Sequence, residues 1–450
     1  MPISEQDLAD CLRVLEASRD LDPGDPSFLA LERAAAHLRK HAKRKRKAAR
    51  RRSSAAHDRA LRARATLGSE GSASGDSSAG PGGASTLRDR SCYACKQPYR
   101  QIHDFYHLLC PACGDASAAK RDQPLTLAGR RVLVTGGRIK IGYACALRCL
   151  RAGAEVAVTT RFPADAARRY AAEPDASSWG DRLVIHGLDF RCLPDVLRAI
   201  EVWREGPGLD VLINNAAQTV WHPPSHYRAL RAGERLAESG ELEIEGSPEQ
   251  RKRKEHRDSM SGAGLAVERW TSPERDSVQL AGVDDAVDLR RVNSWVLRLA
   301  AVPPLEMIEA QVVNNIVPFL LASRLLPAFE RSSFADRYIV NVAALEGQFQ
   351  RASKTDRHPH TNMAKAALNM LTRTSAEDYA ERGVYMVSVD PGWVSHEGPP
   401  EVLAKAEAAG FRPPLDATDA AARILDPIAR GLAGRPVWGV LLKDFAEAPW

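Results

Sequence analysis

At 450 residues and 44% hydrophobic composition, the chain is long enough for one large core and a smaller appended module, and no stretch approaches the roughly eighteen consecutive apolar residues of a membrane span. The first residues, MPISEQDLAD, have neither the basic nor the apolar region of a secretory leader, and eight cysteines over this length do not suggest a disulfide scaffold, so a cytoplasmic protein with reduced thiols is expected. The net charge of +6 divides unevenly: thirteen Lys/Arg and one acid (Asp58) between residues 39 and 64 give +12, which leaves 6 − 12 = −6 for the rest.

Residues 1–66 read as a helical and basic N-terminal segment. Leu8, Cys11, Leu12 and Leu15 hold helical spacing, as do Phe28, Leu29 and Leu31 beyond a turn at DPGDP, which predicts a short helical hairpin. The run from Arg39 to Arg64 carries no aromatic to stack on bases and no recognition motif. It reads as a solvated, partly helical tail, with nonspecific nucleic-acid contact through phosphate neutralisation as the second reading. Residues 67–88 are rich in Gly and Ser and predict a flexible linker.

Residues 89–122 contain two C-x-x-C pairs, Cys92 with Cys95 and Cys110 with Cys113, with fourteen residues between them. Thiolates at that spacing place four ligands tetrahedrally about one Zn²⁺, as in a small zinc ribbon. A complete set of four leaves no open position for water, so the zinc is expected to be structural. His103 and His107 lie between the pairs and read as surface or packing residues, with replacement of a cysteine ligand as the alternative.

From residue 123 onward, β-type apolar runs (131–135, 155–160, 183–188, 210–214, 338–342, 385–389 and 437–442) alternate with helical patterns (141–152, 164–172, 193–204, 305–329, 361–382 and 417–432). That alternation predicts an α/β fold, a doubly wound parallel sheet of about seven strands of the Rossmann type, interrupted by an insertion at about 220–300. The stretch RVLVTGGRIKIG, residues 131–142, reads as a strand, a glycine turn and the opening of a helix. Backbone N–H groups and the helix dipole at such a turn favour a phosphate.

In their order, the motifs of this region resemble those of the short-chain dehydrogenase/reductase family, over roughly residues 126–450 apart from the insertion. Thr135, Gly136, Arg138, Ile141 and Gly142 lie in TGGRIKIG, which resembles the family's TGxxxGIG with Lys140 in place of the middle glycine. Asp189 resembles the acid that faces the adenine ring, and Asn215 and Ala216 lie in NNAA, which resembles NNAG. Asn314 resembles the asparagine that holds a proton-relay water, and Pro391-Gly392 resembles the turn that closes over nicotinamide. The resemblance implies a nicotinamide cofactor, a small or medium organic substrate, and pairing of the helices at 305–329 and 361–382 into a homo-oligomer. Arg161 ends the second strand where an acid would bind the ribose 2′-hydroxyl of NAD; an arginine there accommodates the 2′-phosphate of NADP, so NADP(H) is expected, with NAD as the alternative.

The family's active site is altered. HTNMAK places Lys365 at the position of the ribose-binding lysine but Thr361 at that of the tyrosine, and the fifth strand ends in Val342-Ala343-Ala344 where a serine is expected. An aliphatic hydroxyl is too weak an acid to act as a phenol does. Three readings stand: a proton path rerouted through His360 or His358, since imidazoles titrate near neutrality; a reaction that needs no strong acid, such as imine or enone reduction; or a non-catalytic dinucleotide-bound sensor or scaffold. Trp221, His222, Asn293 and Trp295 of the insertion emerge on the carboxyl edge of the sheet, either within reach of a substrate or as the core of a lid. The polar middle of the insertion, 246–264, is expected to be mobile.

Overall fold

The computed structural model describes residues 3–67, 83–239, 277–278, 287–288, 290–350 and 354–450. These fall into two compact units. The smaller takes residues up to 66, 83–92 and 96–110; the larger takes 67, 93–95 and those from 111 onward.

In the smaller unit, α1 (Glu5–Ala17) starts at a capping box in which Ser4 and Asp7 each bond the other's backbone. It buries no side chain, and Leu8, Leu12 and Leu15 stay exposed. The expected hairpin is thus two helices without a packed seam. Helix α2 (Pro26–Ala63) is capped by Asp25, with Pro26 in its first turn. The basic run, expected to be solvated and partly helical, is largely exposed and is helical as the continuation of this 38-residue helix. Near the helix end Asp58 is buried and accepts the N–H of Leu87 at 2.7 Å, from an antiparallel hairpin of β1 (Ser85–Ser91) and β2 (Pro98–Gln101). Residues 85–88, expected in the linker, are therefore strand; residues 68–82 of that expected linker lie outside the described residues.

The larger unit opens with α3 (Pro111–Arg121). Its sheet contains β3 (Arg131–Thr135), β4 (Glu155–Thr160), β5 (Leu183–Gly187), β6 (Val211–Asn214), β7 (Arg337–Val342), β8 (Val384–Asp390), β9 (Leu441–Lys443) and β10 (Ala446–Ala448). The spatial order is β10-β9-β8-β7-β6-β3-β4-β5, parallel throughout except for the antiparallel edge strand β10. The strands are short Val/Ile/Leu runs because both faces are covered. Helices α4 (Lys140–Arg151) and α13 (Ala417–Leu432) cover one face through Cys145, Cys149, Leu150, Ile424, Leu425 and Ile428. The other face is covered by Val196 and Ile200 of α6 (Leu193–Glu205), with Ala376 and Tyr379 of α11 (Pro359–Glu381). Between these helices in sequence lie α5 (Pro163–Ala171), α7 (Arg228–Ser239), α8 (Pro304–Gln311), α9 (Val317–Arg324), α10 (Leu326–Glu330) and α12 (Pro400–Ala408).

Two expected elements differ. The helix at 305–329 is broken: a π-helical turn, Val312–Ile316, separates α8 from α9. Pro318 has no N–H, so the carbonyl of Asn314, four residues back, loses its helical donor and the turn widens. The last parallel strand pairs only from Leu441, after Gly439 has turned the chain at φ +68°. The insertion contributes α7, two paired two-residue strands (Ser277–Val278 and Val287–Asp288) and short 3₁₀ turns, and its polar middle, 246–264, lies outside the described residues.

The chain runs β3, β4, β5 toward one edge and then returns to β6, β7, β8 on the other side of β3. This reversal opens a crevice at the carboxyl ends of β3 and β6, where ligands bind in such sheets.

Candidate active site and cysteine cluster

The glycine turn lies at that reversal. Thr135 is buried, and its Oγ1 accepts the N–H groups of Asn215 and Ala216, both at 2.9 Å. The Asn215 amide donates back to the carbonyls of Thr135 and Gly136 at 3.0 and 3.2 Å. Asn215 and Ala216 thus clasp the turn from β6. A Cβ on Gly142 would stand 2.1 Å from the Gly136 carbonyl oxygen, so only glycine fits there. Ile141, beside it in the first turn of α4, packs against the core. Lys140 takes the left-handed conformation, φ +53°, and its ammonium pairs with Glu397 at 2.9 Å.

Arg138 is committed to the protein. It pairs at 2.8 Å with Asp165, which also receives Arg168 and Arg169. Burial alone would raise the Asp165 carboxyl, but hydrogen bonds from Arg169 and Arg138 outweigh it and hold the group below its ordinary value. Arg161 is different. It leaves the end of β4 on the surface, lies over the Tyr227 ring at 4.6 Å and donates to that phenol oxygen at 3.1 Å. Among the described residues no carboxylate pairs with it. Asp189 is closed onto Arg191, with oxygens 2.5 and 2.9 Å from the guanidinium.

Around the expected catalytic positions the structure gathers several buried groups. Lys365 donates to the Val342 carbonyl at 2.6 Å, and burial pushes its ammonium down to about 8. Asn314, in the π turn, binds both the N–H and the carbonyl of Gln218, at 2.6 and 3.1 Å. Thr361 Oγ1 is buried and has no hydrogen-bond partner among the described residues. His360 is also buried. Its Nε2 lies 3.2 Å from the Glu306 carboxylate, its carbonyl accepts from Gln311 at 3.0 Å, and its Nδ1 has no partner among the described residues. His358 is held elsewhere: it adopts φ +40°, its Nδ1 lies 3.0 Å from the Trp295 carbonyl oxygen, and its ring stacks on Trp295 at 4.5 Å. No hydroxyl follows β7, where Ala343 and Ala344 stand.

At the far wall, Pro391-Gly392 turns at φ +86°, and the Gly392 N–H donates to Asp390 at 2.8 Å. Tyr93 reaches this turn: its phenol oxygen accepts the Trp393 N–H at 2.9 Å, and Lys443 lies over its ring. Of the insertion residues, Trp221 donates its N–H to Ser294, His222 stacks on His226 at 3.9 Å, and Asn293 donates to the Glu397 carbonyl at 3.1 Å. Glu306, Glu397 and Tyr93 were not picked out by sequence. Each meets its partner only through tertiary packing, and no local spacing encodes such meetings.

The Sγ atoms of Cys92, Cys95, Cys110 and Cys113 all lie within 4.8 Å of one another. Cys110 donates its N–H to Cys92 Sγ at 3.3 Å, a bond suited to a thiolate. Four sulfur donors in one cluster fit the chemistry of Zn²⁺. The arrangement departs from a ribbon of two hairpins. The second pair is carried by the N-terminus of α3, begun by Pro111, where the helix dipole favours negative charge.

The short chain dehydrogenase family matches residues 130–234. An uncharacterised protein of Acanthamoeba polyphaga mimivirus is 34% identical over 351 residues, 75% of this chain and 71% of that protein. The C-signal protein of Myxococcus xanthus is 26% identical over 173 residues, 37% of this chain and 93% of that protein. Among solved structures, the Pseudomonas aeruginosa RhlG/NADP active-site complex is 20% identical with a TM-score of 0.45, over 71% of this chain and 96% of that one.

Proposed function

We propose, from the match of residues 130–234 to the short chain dehydrogenase family, that the chain is an oxidoreductase of that family that uses a nicotinamide dinucleotide, NADP(H) in preference to NAD(H), on a small or medium organic substrate. The bound dinucleotide supplies or accepts the hydride. The glycine turn receives its phosphates, Lys365 binds the ribose, and Arg161 receives the 2′-phosphate. The Arg161 guanidinium supports this last role because it is exposed, stacked on Tyr227 and, among the described residues, in no ion pair with a carboxylate.

One observation carries the catalytic reading. Two buried polar atoms side by side in sequence, Thr361 Oγ1 and His360 Nδ1, have no partner among the described residues, while the other nitrogen of the same imidazole lies against Glu306 at 3.2 Å. Buried polar atoms are normally satisfied, so an unpartnered pair suits a ligand. In this reading the Thr361 hydroxyl holds a substrate oxygen or nitrogen. His360 moves the proton that the family's phenol would otherwise move, and Glu306 orients and stabilises its imidazolium. Arg161→Ala should weaken NADPH far more than NADH. With NADPH bound, His360→Gln and Glu306→Gln should each lower turnover on a panel of carbonyls, imines and enones by about 10²-fold or more, with NADPH affinity retained.

The missing hydroxyl at Ala344 favours a second reading, a dinucleotide-bound regulator without turnover. Tight NADPH binding with no oxidation across the whole panel would decide for it. For the cysteine cluster we assign a structural zinc. Metal analysis should find about one zinc per chain, lost in Cys92→Ser/Cys95→Ser; retention of zinc by that variant would reject the assignment.

A further inference from the structure

Ten Lys and Arg side chains lie between Arg39 and Arg52 of α2, with no acid among them; the flanking acids are Glu32 and Asp58. All ten are exposed. Fourteen helical residues rise about 21 Å, so positive charge recurs about every 2 Å along the axis. Double-stranded DNA presents one negative charge per roughly 1.7 Å of its axis. The stretch is a rod of matching charge density and opposite sign.

Alone, this rod opposes its own helix. Arg39 and Lys43, Lys40 and Arg44, Lys43 and Lys47, Arg46 and Arg50, and Lys47 and Arg51 are like charges four residues apart, a destabilising arrangement. Packing offers no compensation there, because the only buried residues of α2 are Asp58 and Leu61. The helix is anchored at that end. The hairpin adds one more cation to it, since the Arg88 guanidinium donates to the Arg51 carbonyl at 2.9 Å.

We propose that the 39–52 stretch of α2 binds duplex DNA in the major groove, neutralising phosphates without reading sequence. That groove is about 12 Å wide and admits a helix about 10–12 Å across. The major groove of double-stranded RNA is too narrow. A single strand would require aromatic platforms, and the stretch has none. A membrane surface would require an apolar face, and the only apolar residues between 39 and 52 are Ala42, Ala48 and Ala49.

The test uses the full chain and a labelled DNA duplex of about 24 base pairs, followed by fluorescence anisotropy. With about six phosphates neutralised, affinity should fall on the order of 10³-fold between about 50 and 200 mM salt. A variant carrying Lys43→Gln, Arg44→Gln, Arg46→Gln and Lys47→Gln should reduce the salt slope by roughly 3 to 4. Glutamine keeps helix propensity, and far-UV circular dichroism checks that the variant is folded. Adding duplex to the parent should raise its helix content. Three results would overturn the proposal: a variant that binds with the parent's affinity and slope, a parent that prefers vesicles containing one third phosphatidylserine, or a parent that prefers double-stranded RNA. Should the variant lose its helix, the parent decides alone, and a salt slope near zero overturns the proposal.

Discussion

Lys365 carries its charge into a buried position where a backbone carbonyl, that of Val342, holds it. Burial lowers its ammonium from 10.5 to about 8. The sign of the stability effect follows. Below about pH 8 both the folded and unfolded chains hold this proton, and the burial cost is constant. Between about 8 and 10.5 the folded chain has released it while the unfolded chain still binds it, so stability contributed here rises with pH. It is lost again as pH falls back through about 8. Relative to Lys365→Met, the wild type should therefore gain on the order of 3 kcal/mol on going from pH 7 to pH 10.5, measured by urea unfolding. Equal pH dependence of the two proteins would show that the lysine is solvated. HTNMAK made Lys365 and Thr361 legible in the sequence, because the motif is local. Glu306 was not legible: it reaches His360 only because α8 packs on α11. Lys140 was legible as an anomaly in a glycine turn, and it does adopt positive φ, a strain of about 1–2 kcal/mol for a side chain. Its ammonium pairs with Glu397 at 2.9 Å.

The sheet carries a polar chain through its middle. The Asn214 amide donates to Asn341 at 2.8 Å, the Asn341 amide donates to Thr372 at 2.9 Å, and Thr372 and Ser388 share a hydrogen bond at 2.8 Å. All four residues are buried, and together they tie β6, β7, α11 and β8 beneath the site. Asn341→Ala removes the central link, opens a cavity and strands the Asn214 amide. Such a change should cost about 2–4 kcal/mol in chemical unfolding; a loss below about 0.5 kcal/mol would mean that water replaces the link. The sequence could not reveal this chain, since in Leu-Ile-Asn and Val-Asn-Val an inward asparagine looks like any strand end. The π turn was hidden for a related reason. Apolar spacing runs unbroken from 305 to 329, and only Pro318 marks the place where Asn314 leaves the helical ladder. By contrast, the seven parallel strands were readable because burial on both faces demands continuous Val/Ile/Leu runs. The antiparallel edge strand Ala446–Ala448 has no such run, so no sequence signal marks it.

For the larger unit as a whole, the remaining question is what covers its apolar surface. Pro304–Arg324 is long and apolar enough, by length and composition, to cross a membrane. Its inward face argues otherwise. Asn314, Val317 and Leu321 are buried, and Val317 and Leu321 belong to the core that also takes residues from α6 and α11. Exposed apolar side chains stand on both contacting helices, among them Ile308, Ile316 and Phe319 on this segment and Met363 and Met370 on α11. Large apolar residues gathered on adjoining helices mark an interface. Lipid suits this surface poorly, because Arg324 on one helix and Arg373 on the other are exposed as well. The expected occupant is a second copy of the chain, which would pair the two helices of one protomer with those of the next about a twofold axis. Light scattering should then give a homodimer or a multiple of it. Phe319→Glu with Met370→Glu should yield monomers that keep the parent's far-UV spectrum, because both side chains point away from the core. A parent that is monomeric at tens of micromolar, or that partitions into detergent micelles, would sink this reading and leave these exposed residues to a different partner.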